Sequence, residues 1–63
     1  MKNIEVGMIL FDERSGNTFR VDSEYKELQG GYCCTSIELD DDGNITAELS
    51  EGWKTRKEVE RCL

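Results

Sequence analysis

The sequence contains no histidine, and this absence excludes more functions than any residue present suggests. A structural zinc site needs four ligands, usually in closely spaced pairs, and three thiols without an imidazole do not supply them. The chain has no recognisable nucleophile–base pair and no glycine-rich phosphate loop. Its 63 residues also leave little volume for a pocket. We therefore expect no enzyme activity, no cofactor and no metal.

Long apolar runs and paired cysteines are missing as well. No stretch approaches the roughly 20 apolar residues that span a bilayer, and Glu5 follows the N-terminal lysine too soon for a signal peptide. Cys33 and Cys34 are adjacent, so on a strand they point to opposite faces and do not bridge each other. Three cysteines without a disulfide framework fit a reducing compartment, and we expect a cytoplasmic protein.

Acids outnumber bases by fourteen to eight, which gives a net charge of −6. Nucleic-acid phosphates and anionic membranes repel such a protein, whereas basic surfaces of other proteins attract it. Between Glu27 and Trp53 there are seven acids and no base. The basic C-terminal cluster is thin for nucleic-acid binding: Lys54, Arg56, Lys57 and Arg61. The charge therefore predicts a protein partner, with no direct binding to nucleic acid or membrane.

The stretch from Gly7 to Val21 predicts a β-hairpin around which the chain is organised. A three-residue loop, residues 14–16, has Gly16 in the left-handed position. This loop sets Phe11 opposite Phe19 and Ile9 opposite Val21, with all four on the core face.

The other face of this hairpin is the harder one to assign. Met8 and Leu10 have the opposite parity to Phe11, so the first strand is apolar on both faces. These two residues lie either under the C-terminal segment or at a dimer contact, and Arg20 shares their face. The protein is then a monomer or a weak homodimer.

A second hairpin is predicted further along. Its strands are residues 32–39 and 45–49, and the first places an apolar row on the core face: Cys33, Thr35, Ile37 and Leu39. Parity requires an odd-length loop or a bulge between the strands, so that Leu39 pairs with Ala47 or Ile45. Residues 22–31 form a loop. Thr55 and Glu58 form a capping box that opens a helix of about two turns, which must dock on the sheet through Val59, Cys62 and Leu63.

Two segments, EVGMILFDERSGNTFRV and WKTRKEVERCL, resemble the opening and closing parts of small SH3-like barrels of bacterial and phage genomes. The resemblance implies an all-β fold: a small antiparallel barrel of 4–5 strands with a short C-terminal helical turn. It spans most of the chain as one domain, residues 1–63. It implies nothing about function, because such folds carry many functions.

The acidic loop at residues 40–44 has two interpretations. In the simpler one, Asp and Asn suit the chemistry of a solubilising turn; in the other, Asp40, Asp41 and Asp42 dock a basic protein surface. A calcium loop fits poorly, because its twelfth position would be Leu49 where a glutamate is required and no helices flank it.

Three aromatic residues form the remaining candidate site: Tyr25, Tyr32 and Trp53. In SH3-like barrels such residues line peptide grooves or cages for methylated lysine. A chain this poor in large apolar residues also needs Trp53 to close its core, and we favour that role. Among the cysteines, Cys33 is expected in the core and Cys34 half-exposed.

The sequence thus predicts a non-catalytic module that binds a basic or mixed-charge protein through an acidic hairpin face. The alternative is a small anionic inhibitor of phage or mobile-element origin that occupies the basic groove of a nucleic-acid-binding protein. The candidate interface residues are Met8, Leu10, Arg20, Tyr25, Tyr32, Asp40, Asp41, Asp42 and Trp53.

Overall fold

A computed structural model describes residues 3–63. Met1 and Lys2, the start of the predicted N-terminal lead-in, lie outside the described residues. The elements are β1 (Ile9–Asp12), β2 (Asn17–Val21), β3 (Tyr32–Leu39), β4 (Ile45–Lys54) and α1 (Arg56–Arg61). The strands form one antiparallel sheet in the order β1-β2-β3-β4. The predicted all-β fold with a short C-terminal helix is confirmed. The sheet is open, however, with β1 and β4 at its two edges rather than closed into a barrel.

The first hairpin forms, but its register differs from the prediction by one residue. Asp12 pairs with Asn17, so the loop has four residues, and Leu10 lies opposite Phe19 in place of Phe11. Asp12 sets this length: its carbonyl accepts the Gly16 N–H at 2.8 Å, and its side chain accepts the Arg14 N–H at 3.0 Å. Gly16 has φ 75°, the left-handed conformation expected of it.

The loop between β3 and β4 has the predicted odd length. Leu39 pairs with Ile45 across five residues, and register shifts follow at two points of β3. Both side chains are about two-fifths exposed, so this row is not inside the core as predicted. Strand β4 also runs five residues beyond Leu49, because Trp53 and Lys54 continue the pairing with the start of β3.

The parity of β3 is the reverse of the prediction at its first residues. Val21 pairs with Cys34, so Cys34 is buried beside Val21, and Cys33 is half-buried on the opposite face. Thr35 and Ile37 are buried on that opposite face, since β3 is flanked by a strand on each side.

The core lies between the sheet and α1. Its buried members are Phe19, Val21, Tyr32, Cys34 and Val59, and its partly buried members are Ile4, Met8, Leu10 and Cys62. Met8 and Leu10 are partly buried and pack on this cluster, which contains Val59, as the first of the two alternatives left by the sequence predicts.

The capping box that opens α1 is confirmed. The Thr55 hydroxyl accepts the Glu58 N–H at 3.2 Å, and the Glu58 carboxylate accepts the Thr55 N–H at 3.0 Å. At the other end, Arg61 Nη2 lies 3.3 Å from Asp12 Oδ2 at the tip of β1. A helix of only six residues is too short to be stable alone; the capping box stabilises its first turn, and the Arg61–Asp12 pair connects its last turn to the sheet.

A loop at residues 22–31, as predicted, connects β2 to β3 and ends in a tight turn, where Lys26 forms an isolated bridge with Gly31. Gly31 packs directly on the backbone of Lys54, and a Cβ atom at this position would overlap the Lys54 carbonyl. In contrast, a Cβ atom on Gly52 would have no neighbour within 4 Å.

Candidate functional site

The face of the sheet opposite α1, here termed the open face, lies away from the core cluster that contains Val59. Its side chains alternate with those of the core and lie in cross-strand rows, because paired residues of an antiparallel sheet share a face. The rows are Phe11–Thr18–Ile37–Glu48, Ile9–Arg20–Thr35–Glu51 and Cys33–Trp53.

Large apolar side chains are exposed at both margins of the open face. Ile9 and Phe11 on β1 are 42% and 53% exposed, and Trp53 on β4 is 47% exposed. The predicted core position of Trp53 is therefore wrong. Ile9 and Phe11 were not predicted as surface residues. They lie on the outward side of β1, a strand that was correctly expected to be apolar on both faces.

The centre of the open face is polar and ion-paired. Arg20 Nε lies 2.7 Å from Asp22 Oδ1, and Arg20 Nη2 lies 3.3 Å from Glu48 Oε1. The Thr35 hydroxyl donates to the other oxygen of Asp22. Partial burial raises the pKa of Asp22, but the hydrogen bonds from Thr35 and Arg20 outweigh it and hold that pKa below its usual value. Arg20, a predicted interface residue, is thus committed to partners within the sheet.

The tip of the β3–β4 hairpin carries the predicted acidic residues. Asp40 organises the turn, because its Oδ1 accepts the Asp42 N–H at 3.0 Å and the Asn44 N–H at 2.8 Å. These backbone hydrogen bonds, that from Asn44 above all, lower the pKa of Asp40. Asp41 and Asp42 are exposed. We call the acidic side chains of this hairpin the acidic hairpin: Glu38, Asp40, Asp41, Asp42, Glu48 and Glu51.

The three predicted aromatic site residues are not brought together. Tyr25 and Tyr32 lie edge to face, with ring centroids 5.5 Å apart, and the Arg56 guanidinium stacks 4.6 Å from the Tyr25 centroid. Tyr32 is buried in the core. Trp53 is on the open face, on the other side of the sheet from Tyr32, so the three do not form the predicted groove or cage.

The cysteines are poor nucleophiles in this arrangement. Burial raises the pKa of Cys34 to about 11. Burial, followed by the negative charges of Glu51 and Asp22, also raises the pKa of Cys33. A thiol reacts as its thiolate, so neither side chain is activated. Among residues 3–63, no cluster of three histidine, cysteine or acidic side chains is placed to hold a metal ion.

Within the described part of the chain, no helix combines the length and apolar character needed to cross a bilayer. No known protein family, no curated protein and no solved structure matches this chain.

Proposed function

We propose that this protein is a non-catalytic interaction module that binds a basic or mixed-charge protein through the open face and the adjoining acidic hairpin. One observation supports this most strongly. The exposed apolar side chains of Ile9, Phe11 and Trp53 share a face with Glu48 and Glu51. Aromatic side chains are enriched among the residues that dominate binding at protein interfaces.

The two components of the surface have different roles. Burying the exposed halves of the three apolar side chains contributes about 1 kcal/mol each, since a full side chain contributes about 1.5–3 kcal/mol. That sum alone gives weak binding. The acidic hairpin adds long-range attraction, which accelerates association with a basic partner and disfavours acidic ones. Arg20, already paired with Asp22 and Glu48, leaves no unpaired cation at the centre of the face to repel such a partner.

Affinity capture from nuclease-treated lysate, with matched variants, tests this function. Phe11→Ser removes an anchor from the open face, whereas Leu28→Ser removes a fully exposed leucine in the loop before β3 and serves as the control. We expect one set of proteins to be retained by the wild type and by Leu28→Ser, and lost by Phe11→Ser. Retention should also weaken between about 0.1 and 1 M salt, as the screening length falls from about 10 to 3 Å. Equal capture by both variants would show that the open face is not the binding surface.

The inhibitor hypothesis is a second proposal, favoured by the seven acids without a base between Glu27 and Trp53. An acidic hairpin of this kind can occupy a groove that otherwise holds phosphates. Duplex DNA or RNA added to the captured complex should then displace the partner in proportion to its concentration. An interaction module whose partner keeps its nucleic-acid binding would show no such competition. The SH3-like relationship of the fold likewise remains a proposal.

A further inference from the structure

Strand β4 is the long edge of the sheet. It has ten residues, and in the part of the chain that the structure describes only β3 pairs with it. Between Ser50 and Lys54 its register with β3 is regular, and the irregularities lie nearer the acidic tip. Natural proteins protect such edges with proline, inward charges or lysine. The chain has no proline, and the lysine of this segment is at its last position.

The hydrogen bonds of the neighbouring strands show which backbone groups of β4 point outward from this edge. The Asp22 N–H donates to the Cys33 carbonyl, and the Val21 N–H donates in the opposite direction, to Met8. Because N–H groups of an antiparallel strand alternate in direction, Cys34 and Ser36 point toward β4, where they pair with Gly52 and Ser50. The N–H and C=O groups of Glu51 and Trp53 therefore point away from β3, toward solvent.

The side chains of these two residues define what fits beside them. Glu51 and Trp53 both lie on the open face, opposite Thr35 and Cys33. In an added antiparallel strand, a residue directly opposite each of them exchanges backbone hydrogen bonds and places its side chain on the same face. A lysine or arginine there meets the Glu51 carboxylate, and a second one, two residues away, meets the face of the Trp53 ring.

We propose that β4, between Ser50 and Lys54, accepts an extended basic segment of a partner protein as a fifth, antiparallel strand of the sheet. The inference rests on the proposed function, because it describes how a basic partner engages this same region. Main-chain hydrogen bonds supply affinity in this mode, and alternate side chains supply specificity. Basic residues at every second position of the segment carry the specificity here.

A synthetic eight-residue peptide of alternating valine and lysine tests the proposal directly. Titrated at low salt into the isotope-labelled protein, it should shift the backbone amide resonances of Glu51 and Trp53 most. Two matched peptides then separate strand pairing from simple charge attraction. N-methylation of the lysine amides removes the donors that face β4, whereas N-methylation of the valine amides removes donors that face solvent.

We expect the lysine-methylated peptide to bind at least about tenfold more weakly than the valine-methylated one, because it loses two or more backbone hydrogen bonds. Equal affinity for the two peptides, weaker binding of the valine-methylated one, or no binding of the parent peptide would overturn the proposal. The peptide would then bind through charge attraction alone, or at another surface of the protein.

A pair of protein variants gives a second readout. Glu51→Thr removes the charge and keeps the outward N–H, whereas Glu51→Pro removes both and leaves the inward bonds of Ser50 and Gly52 in place. Glu51→Pro should bind the parent peptide roughly fivefold more weakly than Glu51→Thr; equal binding contradicts strand addition. Capture that is lost with Phe11→Ser while these peptide tests fail would retain the proposed function and reject this binding mode alone.

Discussion

Replacing Val59 by alanine tests whether α1 docks on the core face of the sheet and leaves the open face on the other side. Val59 is completely buried and is the residue through which α1 reaches the core cluster. The change removes two carbon atoms, which costs about 1.6 kcal/mol in lost transfer free energy. An unfilled cavity of about 40 Å³ would add about 1 kcal/mol. We therefore expect the free energy of unfolding to fall by about 2–3 kcal/mol.

That loss is large for a chain of this size. A domain of 63 residues has a total stability of about 3–9 kcal/mol, and each kcal/mol corresponds to about 4–8 °C in melting temperature. Urea denaturation followed by circular dichroism measures the change. Val6→Ala is the matched control, because Val6 is 57% exposed, and it should change the stability by less than about 0.5 kcal/mol. Equal losses for the two variants would mean that α1 does not dock on the sheet through Val59.

Further predictions concern the register, the central ion pairs and the thiols. Leu10→Ala should cost about 2 kcal/mol and Phe11→Ala less than about 1 kcal/mol by urea denaturation, since only Leu10 packs on the core; the reverse order would support the predicted hairpin register. Because folding lowers the pKa of Asp22, its carboxylate stabilises the protein above about pH 4 and loses this effect as the pH falls through the lowered value. Asp22→Asn should therefore unfold more easily at neutral pH and depend less on pH below 4, and unchanged acid unfolding would refute the Asp22 contribution. In a Cys62→Ser background, which removes the other partly exposed thiol, a fast phase with a thiol reagent at about pH 8 should survive in Cys34→Ser and disappear in Cys33→Ser; the opposite result would restore the predicted parity of β3.

The sequence predicted the elements of this fold better than their registers. Alternating apolar residues and Gly16 located the first hairpin, and Thr55 with Glu58 located the helix. The register depended on the hydrogen bonds of Asp12 with Gly16 and Arg14, which lengthen the loop by one residue. A strand that is apolar on both faces gives no parity signal against such a slip, so Ile9 and Phe11 were assigned to the core face although they lie on the other one.

The candidate site was predicted only in part, because its side chains also depend on strand registers that the sequence pattern does not determine. The acidic hairpin needed only composition, and its charge was correctly placed at an exposed turn. The parity of Cys33 and Cys34 depended on where the loop after β2 returns the chain, which no local pattern encodes. Trp53 was expected in the core because large apolar residues are few. The structure instead fills that space with Val59 and Tyr32, which leaves Trp53 on the open face.

The two contrasting glycines near β4 have an evolutionary consequence. Any side chain at Gly31 would push the end of β4 off the turn before β3, so purifying selection at that position needs no function to explain it. Gly52 is free of that restriction, and drift there should be common unless something approaches β4 from outside. Once homologous sequences are aligned, invariance of Gly31 is thus uninformative about partners. Invariance of Gly52 would instead be a record of a surface under selection.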